Sequence, residues 1–257
     1  MLVINIGKLD KDITARQKEL LLSIIKEFIE TAEAVGSISL QNKFKLKLST
    51  ATIRNEMAEL VAHGYLYQKH LSSGRIPTTK GWRFFVDYLK SQGISEIDEK
   101  TKERIQNALL KNSDSFERLI RKSLNFLSEI SENAAVALIG NELYYAGLSE
   151  LVNIPEFRDT DSMKRILSIL EDYSALSEMM NKDLPDDDIQ ILIGEETGNE
   201  IFDDYTLIFS EVRIDGKNRG CIAVIGPNRM KYDKVIKGIK YITDTLRQVL
   251  PKTISYQ

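Results

Sequence analysis

The sequence predicts a mixed α+β fold with two domains. Amphipathic helical segments fill much of the first 132 residues, whereas strand-like apolar runs alternate with helices from Ala134 onwards. Charge divides the chain in a similar way, because residues 1–90 hold 14 Lys and Arg against 9 Asp and Glu, and the remainder holds 21 against 29. A basic N-terminal third joined to an acidic remainder indicates a nucleic-acid-binding module followed by a separate body.

Two helices joined by a tight turn are predicted near the start of the chain. An amphipathic segment from Ser37 to Phe44 precedes a longer helix from Ser49 to Gly64, with a turn at 45–48 between them. The apolar residues of the longer helix share one face, since they fall at positions i, i+4, i+7 and i+8. They are Ile53, Met57, Leu60 and Val61. This arrangement predicts a helix-turn-helix.

The exposed start of the longer helix carries short, hydrogen-bonding side chains. Its residues are Ser49, Thr50, Ala51, Thr52, Arg54 and Asn55. Ser49 or Thr50 can cap the helix, and helical geometry places Ala51, Thr52 and Asn55 opposite the apolar face, with Arg54 on the flank. In the DNA major groove, Asn can bond an adenine edge, and an Ala or Thr methyl can contact a thymine methyl. An ordinary solvated helix face is the alternative interpretation.

A hairpin is predicted directly after this helix. Aromatic and aliphatic residues from Tyr65 to His70 suit a strand, and the Ser-Ser-Gly turn at 72–74 precedes the return of the chain. A loop of this composition, from Leu71 to Arg75, is a candidate wing that contacts phosphates or inserts an arginine into the minor groove. Its polar contacts are expected from Lys69, Ser72 and Arg75.

Another helix completes the predicted N-terminal domain. Pro77 ends the strand pairing, and Thr78 or Thr79 can cap a helix that runs from Lys80 to Lys90. Its core face consists of Trp82, Phe85, Val86 and Leu89. Lys80, at the start of this helix, is a further candidate for phosphate contact. Residues 1–92 are therefore predicted to form a winged helix-turn-helix domain that binds double-stranded DNA.

The domain boundary is expected near Ser91–Asp98, where Gly, Ser and acidic residues follow an apolar helix. The next segment, 93–132, is predicted to form one or two amphipathic helices that serve as a helical linker. Its apolar residues are spaced near three and four, which is compatible with core packing and also with a dimer seam. The sequence leaves both interpretations open.

The predicted third region, residues 133–257, has an α+β pattern. Strand-like runs are expected at Ala134–Ile139, Ile189–Ile193, Tyr205–Ile214 and Gly220–Ile225, and helices near Asp161–Met180 and Tyr232–Leu250. The last helix carries an apolar stripe that can cover one face of an antiparallel sheet.

Catalytic and metal-binding functions are not indicated. Acidic clusters at 186–188, 195–196 and 203–204 lie at expected loops or strand ends, where carboxylates usually face water. His63 and His70 have no Cys partners at zinc spacing, and the sequence lacks a Gly-rich phosphate loop or a nucleophile elbow. We therefore expect a protein that is not an enzyme and that needs no cofactor.

A cytoplasmic location is expected. No apolar run approaches the roughly 20 residues that a membrane span needs, and the short stretch Leu2–Ile6 lacks the basic start of a signal peptide. The single cysteine, Cys221, lies in an apolar run and is expected at a buried strand position.

Motifs in both halves of the chain resemble those of the heat-inducible transcription repressor family, HrcA. In the N-terminal third these are TARQ at 14–17, AVGS at 34–37, STATIRNEM at 49–57, and SGRIPT at 73–78 with Lys80 and Gly81. In the remainder they are NIPEFRD at 153–159, IGEE at 193–196, and IGPNRM at 225–230 with Tyr232. Several motifs in the same order make the resemblance specific.

The resemblance implies a repressor of chaperone operons that binds an inverted-repeat operator as a homodimer. It further implies a GAF-like C-terminal domain, release of DNA on heating, and restoration of the active form by the chaperonin GroEL. Members of the family carry a dimerisation domain inserted within the GAF-like domain. Here only the segment Gly140–Val152 separates the motifs that flank it. We therefore expect a short form without the insertion, whose dimer contact cannot be transferred from the family.

Individual roles follow from the predicted helix geometry. Asn55 is expected to read a base, Lys69, Arg75 and Lys80 to contact phosphates on any sequence, and Arg54 to do either. Two alternatives remain open. One is a repressor of the same architecture whose GAF-like domain binds a small effector, and the other is a protein-interaction module in which the winged helix contacts protein.

Overall fold

The computed structural model describes residues 11–44, 48–70, 73–111, 115–180, 189–213 and 219–254. Its helices and its antiparallel sheet confirm a mixed α+β fold. The chain divides into two compact units, Met1–Gly93 and Ile94–Gln257. Among the described residues, no helix is long and apolar enough to cross a membrane.

The first unit is mainly helical. Its elements are α1 (Ala15–Thr31), α2 (Ser37–Phe44), α3 (Thr50–Ala62), β1 (Leu66–Tyr67), β2 (Ile76–Pro77) and α4 (Thr79–Ser91). The strands pair antiparallel, with Leu66 opposite Pro77. The strand expected at Tyr65–His70 is therefore only two residues long, and the expected wing residues Leu71 and Ser72 lie outside the described part of the chain.

Helix α1 was not predicted from the sequence. It begins with a capping box, in which Thr14 accepts from the backbone of Gln17 and the Gln17 side chain accepts from the backbone of Thr14. Its buried face packs against α3 and α4. The helix ends at Ala32, which adopts a left-handed conformation with φ of 57°. The TARQ motif is thus a helix start.

The second unit contains the larger sheet. Its helices are α5 (Glu99–Leu110), α6 (Phe116–Ser131), α7 (Leu148–Leu151), α8 (Thr160–Glu171), α9 (Tyr173–Met180) and α10 (Tyr232–Ile254). Its strands are β3 (Ala134–Ile139), β4 (Glu142–Ala146), β5 (Gln190–Ile193), β6 (Tyr205–Arg213) and β7 (Arg219–Pro227). Short 3₁₀ turns lie at Pro155–Phe157, Gly194–Thr197 and Glu200–Phe202.

The five strands form one antiparallel sheet in the order β4-β3-β7-β6-β5. Helices α6 and α10 pack against each other and against the sheet. An apolar cluster joins buried strand residues such as Val136 and Phe209 to buried residues of α8 and α9, including Ile166 and Met179. Strand residues that could line an effector cavity are therefore covered by the chain itself.

The helical linker expected at 93–132 is instead part of the second unit. Its apolar residues Ile105, Leu109, Ile120, Leu124 and Leu127 are fully buried. Helix α6 contacts β3, β4 and α10, and α5 contacts α6 and α10. Periodicity identified the apolar face correctly, but it could not identify what covers that face. These buried residues belong to the core of one protomer and cannot also form a dimer seam.

Two further differences have local causes. Strand β4 was not predicted, although its Tyr-Tyr pair favours strand. The helix expected at Asp161–Met180 is broken at Asp172, whose carboxylate accepts the Ala175 N–H at 3.0 Å and so starts a new helix. Cys221 lies on strand β7 as expected, but it is only partly buried; this burial raises its thiol pKa to about 11.

Candidate nucleic-acid interface

Side-chain hydrogen bonds hold the start of α3. Ser49 Oγ accepts the Thr52 N–H at 3.1 Å and lies 2.9 Å from Thr52 Oγ1. From α2, Gln41 Nε2 donates to the Leu48 carbonyl oxygen at 2.9 Å; residues 45–47 of the expected turn lie outside the described residues. Because both contacts restrain the entry into α3, its first residues are presented in a defined orientation.

The residues expected to face DNA do lie on the solvent side of α3. Ser49, Ala51, Arg54 and Asn55 are exposed, and Thr50 and Thr52 are partly buried. Ile53 and Met57, on the opposite side, are buried. In the described part of the chain, the Asn55 amide has no hydrogen-bond partner, so it is available to a ligand.

Two arginines from different elements meet at the start of α2. Arg54, on α3, donates from Nε to Ser37 Oγ at 3.1 Å, and Ser37 is the first residue of α2. The backbone of Arg75 exchanges two 2.9 Å hydrogen bonds with Val35, two residues earlier in the chain than Ser37. Burial, and then the nearby Arg54 cation, lower the pKa of the Arg75 guanidinium. The two guanidinium groups therefore repel each other.

No described carboxylate neutralises this arginine pair. Arg75 donates from Nη1 to the Ser73 carbonyl at 3.1 Å, and its Nε is buried without a protein partner. A like-charge pair beside the positive end of a helix is unfavourable unless an anion joins it. The site formed by Ser37, Arg54 and Arg75, here called the arginine cluster, is therefore suited to a phosphate.

A close backbone approach fixes Arg75 in this position. A Cβ on Gly74 would lie within 3.0 Å of the Ala34 carbonyl group and 2.6 Å from Val35 N. Glycine thus allows the returning strand to pack directly on the connection between α1 and α2. Arg75 consequently lies at the base of the expected wing and is partly buried.

Lys69 is the exposed cation on the other side of the hairpin. Its neighbour His70 is held by Ser73, whose Oγ accepts the His70 N–H at 2.9 Å and donates to the His70 carbonyl at 2.7 Å. Lys69 itself makes no hydrogen bond or ion pair with a described residue. Ser72, the remaining expected wing contact, lies outside the described residues.

The structure does not bring Lys80 to the same surface. Its ammonium donates to the His63 carbonyl at 3.1 Å, lies 3.5 Å from Asp12, and sits 4.2 Å from the centre of the Tyr65 ring. His63 is the C-cap of α3, so Lys80 lies at the end of that helix opposite Ser49. Here Lys80 caps helix carbonyls, a role set by tertiary packing.

We expect Lys80→Met to lower the free energy of unfolding by about 1 kcal/mol, because a helix-end hydrogen bond and a cation–π contact are lost. Urea denaturation measures this change, with Lys26→Met, an exposed change on α1, as the matched control. The salt dependence of DNA binding is expected to stay unchanged. If Lys80→Met had wild-type stability and its DNA binding became less salt-dependent, Lys80 would be a phosphate contact after all.

Two contacts near the interface were not visible in the sequence. Ser37, which orients Arg54, was identified only as part of a motif. Glu56 is buried on α3 and forms an ion pair with Arg16 on α1. This pairing neutralises a carboxylate that would otherwise repel DNA from α3. Both partners lie in motifs, but their proximity depends on the packing of α1 and α2 against α3.

The motifs of the second unit also meet in space. Glu156, from the NIPEF motif, forms an ion pair with two hydrogen bonds to Arg229, from the GPNRM motif. The distance from Arg229 Nη2 to Glu156 Oε2 is 2.7 Å. Thr206 Oγ1 lies 2.8 Å from Asn228 Oδ1 and 3.0 Å from the Tyr232 hydroxyl. These contacts join loops at one end of the sheet and indicate a structural role for these motifs.

No group of three or more His, Cys, Asp or Glu suited to a metal ion occurs among the described residues. The acidic run at 186–188 is outside them. Glu196 is used structurally, since its Oε2 accepts the Ile193 N–H at 2.9 Å.

A helical unit that carries an uncompensated arginine cluster has a charge pattern typical of nucleic-acid-binding domains. The family model described as the HrcA protein C-terminal domain matches residues 75–236, which is more than half of the chain. The chain therefore belongs to the HrcA family. Its curated members are named as transcription repressors and not as enzymes, which confirms the resemblance and the expectation of a non-enzymatic protein.

Curated relatives share low identity over nearly their whole lengths. The heat-inducible transcription repressor HrcA of Pelotomaculum thermopropionicum is 25% identical, with 93% of this chain and 97% of the relative covered. The heat-inducible transcription repressor HrcA of Thermoanaerobacter sp. strain X514 is 28% identical, with 91% of this chain and 96% of the relative covered. The first alignment extends over 341 residues, more than the 257 present here. This relative thus contains residues without a counterpart in the shorter chain.

A solved structure supports the fold. The crystal structure of a hypothetical protein aligns with a TM-score of 0.76 and 18% identity, covering 94% of this chain and 99% of the other. At this identity the likeness establishes the fold alone.

Proposed function

We propose that the chain is a heat-inducible transcription repressor that binds an inverted-repeat operator of chaperone genes as a homodimer. The observation that carries the DNA-binding step is the arginine cluster, which lies beside the exposed start of α3. Family membership and the names of the curated relatives support the repressor role.

The first unit acts as a winged helix-turn-helix in this proposal. Helix α3 enters the major groove with its first residues, so that Asn55 and Ala51 face base edges. The arginine cluster holds a backbone phosphate next to the groove, and the positive end of α2 adds to its attraction. Lys69 contacts the backbone from the other side of the hairpin. Residues 1–92 would then form the DNA-binding domain.

The second unit acts as a GAF-like body that connects two DNA-binding domains. An inverted-repeat operator has two-fold symmetry, so the bound protein needs a two-fold axis and two recognition helices about 34 Å apart, or a multiple of that distance. The alternative of a small-molecule effector gains no support from the sheet face covered by α8 and α9, whose apolar strand residues are buried within the chain.

The proposed regulation follows the family resemblance. Heat disables the repressor, and the chaperonin GroEL helps to restore the active form. The degree of repression therefore depends on how much chaperonin is free. Heating the purified protein with and without chaperonin, and then measuring operator binding, tests this step. Recovery that is equally fast in both samples would remove chaperonin from the proposal.

Asn55→Ala tests the proposed orientation of α3. We expect it to weaken operator binding by about 1 to 3 kcal/mol and to change binding to a scrambled duplex little, because the lost contacts are specific to bases. Fluorescence anisotropy with both duplexes measures the ratio of dissociation constants. Asn125→Ala, the same change at an exposed position of α6, is the control. An equal loss on both duplexes would show that this orientation is wrong.

A further inference from the structure

The sheet of the second unit has one edge whose backbone is open in the described part of the chain. Strand β4 forms this edge, and β5 forms the other. At β5, Ile191 and Ile193 are buried, and the Ile193 N–H is already bonded to Glu196. In contrast, Tyr145 of β4 is 51% exposed, and β4 contains none of the lysines, prolines or bulges that usually protect an edge.

The pairing register shows which backbone groups of β4 point outward. Ile139 and Glu142 close the hairpin around a two-residue turn, and such a closing pair is hydrogen-bonded. Because bonded and non-bonded pairs alternate in an antiparallel ladder, the backbone of Tyr144 faces β3. The N–H and C=O groups of Leu143 and Tyr145 therefore point away from the sheet.

We propose that β4 of a second copy of this chain pairs with this edge, antiparallel, about a two-fold axis that passes beside Tyr144. In this register Leu143 lies opposite Tyr145 of the other copy, and about four backbone hydrogen bonds form between their outward-pointing groups. The two five-stranded sheets then become one continuous sheet. The inference rests on the proposed function, because it supplies the two-fold axis that an inverted-repeat operator requires.

The sequence of β4 favours its own copy as the partner. The single charged residue of the strand, Glu142, falls opposite Ala146 of the other copy, so like charges do not meet. Tyr144 lies next to its counterpart at the axis, although its ring is mostly covered within its own protomer by Arg121 and its hydroxyl donates to Glu142. Leu143 and Tyr145 pair on the other face. Every position of the strand thus finds a compatible partner in an identical strand.

Tyr145→Pro tests the backbone pairing. Proline removes an outward N–H without removing a hydrogen bond to β3, so the protomer is expected to fold. We expect the dimer dissociation constant to rise about tenfold or more, as measured by sedimentation velocity over a range of concentrations. Ile201→Lys, a change at another exposed apolar residue of this unit, is expected to leave it unchanged. A folded Tyr145→Pro protein with a wild-type dissociation constant would overturn the inference, and circular dichroism establishes that it is folded.

Cysteine pairs test the register without depending on dimer affinity. In a Cys221→Ser background, Glu142→Cys combined with Ala146→Cys places thiols on directly opposite residues, whose Cα atoms are about 4.5 Å apart and can be bridged. Within one protomer the two positions are about 13 Å apart along the strand and cannot be bridged. Mild oxidation is expected to yield a covalent dimer from the double variant and from neither single variant. If oxidation crosslinks neither the double variant nor either single variant, this register is wrong.

These experiments separate the inference from the proposed function. A wild-type protein that dimerises through β4 but does not distinguish operator from scrambled DNA contradicts the function alone. A protein that binds the operator, and whose dimerisation is insensitive to Tyr145→Pro, contradicts the interface alone.

Discussion

Gly81→Ala is expected to lower the free energy of unfolding of the N-terminal unit by about 3 kcal/mol. Alanine is normally a better helix former than glycine by about 1 kcal/mol, so this loss would have to come from a steric clash. Gly81 lies in the first turn of α4, and its N–H donates to the Thr78 side chain. A Cβ there would lie within 3.0 Å of the Tyr65 carbonyl oxygen. That oxygen accepts the Thr78 N–H at 3.1 Å, so it cannot move away without loosening the helix cap.

Gly36→Ala is the matched control for this change. Gly36 lies in the same unit, and a Cβ there would meet no atom within 4 Å. It is expected to change stability by less than about 1 kcal/mol, because the restriction of the unfolded chain by alanine opposes its poorer capping of α2. Urea denaturation followed by circular dichroism distinguishes the two variants. Equal stabilities would show that α4 and the chain after α3 do not pack as closely as the structure describes.

Removal of both arginines of the cluster is expected to have the largest effect on DNA binding. Arg54→Ala with Arg75→Ala removes two cations that repel each other and lack a described carboxylate partner. Operator and scrambled duplexes are expected to lose affinity alike, and the slope of log affinity against log salt to decrease by about 1 for each arginine. Anisotropy titrations at several salt concentrations measure both quantities.

Arg104→Ala, on α5 in the second unit, is the control because its guanidinium is already paired with Glu129 at 2.8 Å. It is expected to leave the slope unchanged. Removal of the like-charge pair also relieves repulsion, so the double variant is expected to be no less stable than the wild type. An unchanged salt slope in the double variant would mean that the arginine cluster does not contact phosphate.

Local patterns predicted the core of the proposed site. Helix α3, its cap at Ser49 and its exposed residue Asn55 follow from spacing and capping chemistry, which depend on a few neighbouring residues. The C-terminal strands were found as apolar runs for the same reason. Strand β4 was missed because its pattern is mixed, with an exposed Tyr145 and a nearly buried Tyr144.

The roles of individual cations depended on packing between distant segments. The sequence placed Arg75 and Lys80 together as phosphate contacts, but the structure separates them. The close approach at Gly74 brings Arg75 to the start of α2, whereas the approach at Gly81 brings Lys80 to the end of α3. Nothing in the spacing of these residues indicates which end of α3 each one meets.

The most direct test of the proposed function is the binding of the wild-type protein to an inverted-repeat chaperone operator and to a scrambled duplex of equal length, each at two salt concentrations. We expect binding to the operator to be about a thousandfold tighter or more, and both affinities to fall as salt rises. Equal, salt-sensitive binding to both duplexes would contradict sequence recognition by α3 and would leave only a nonspecific DNA-binding unit.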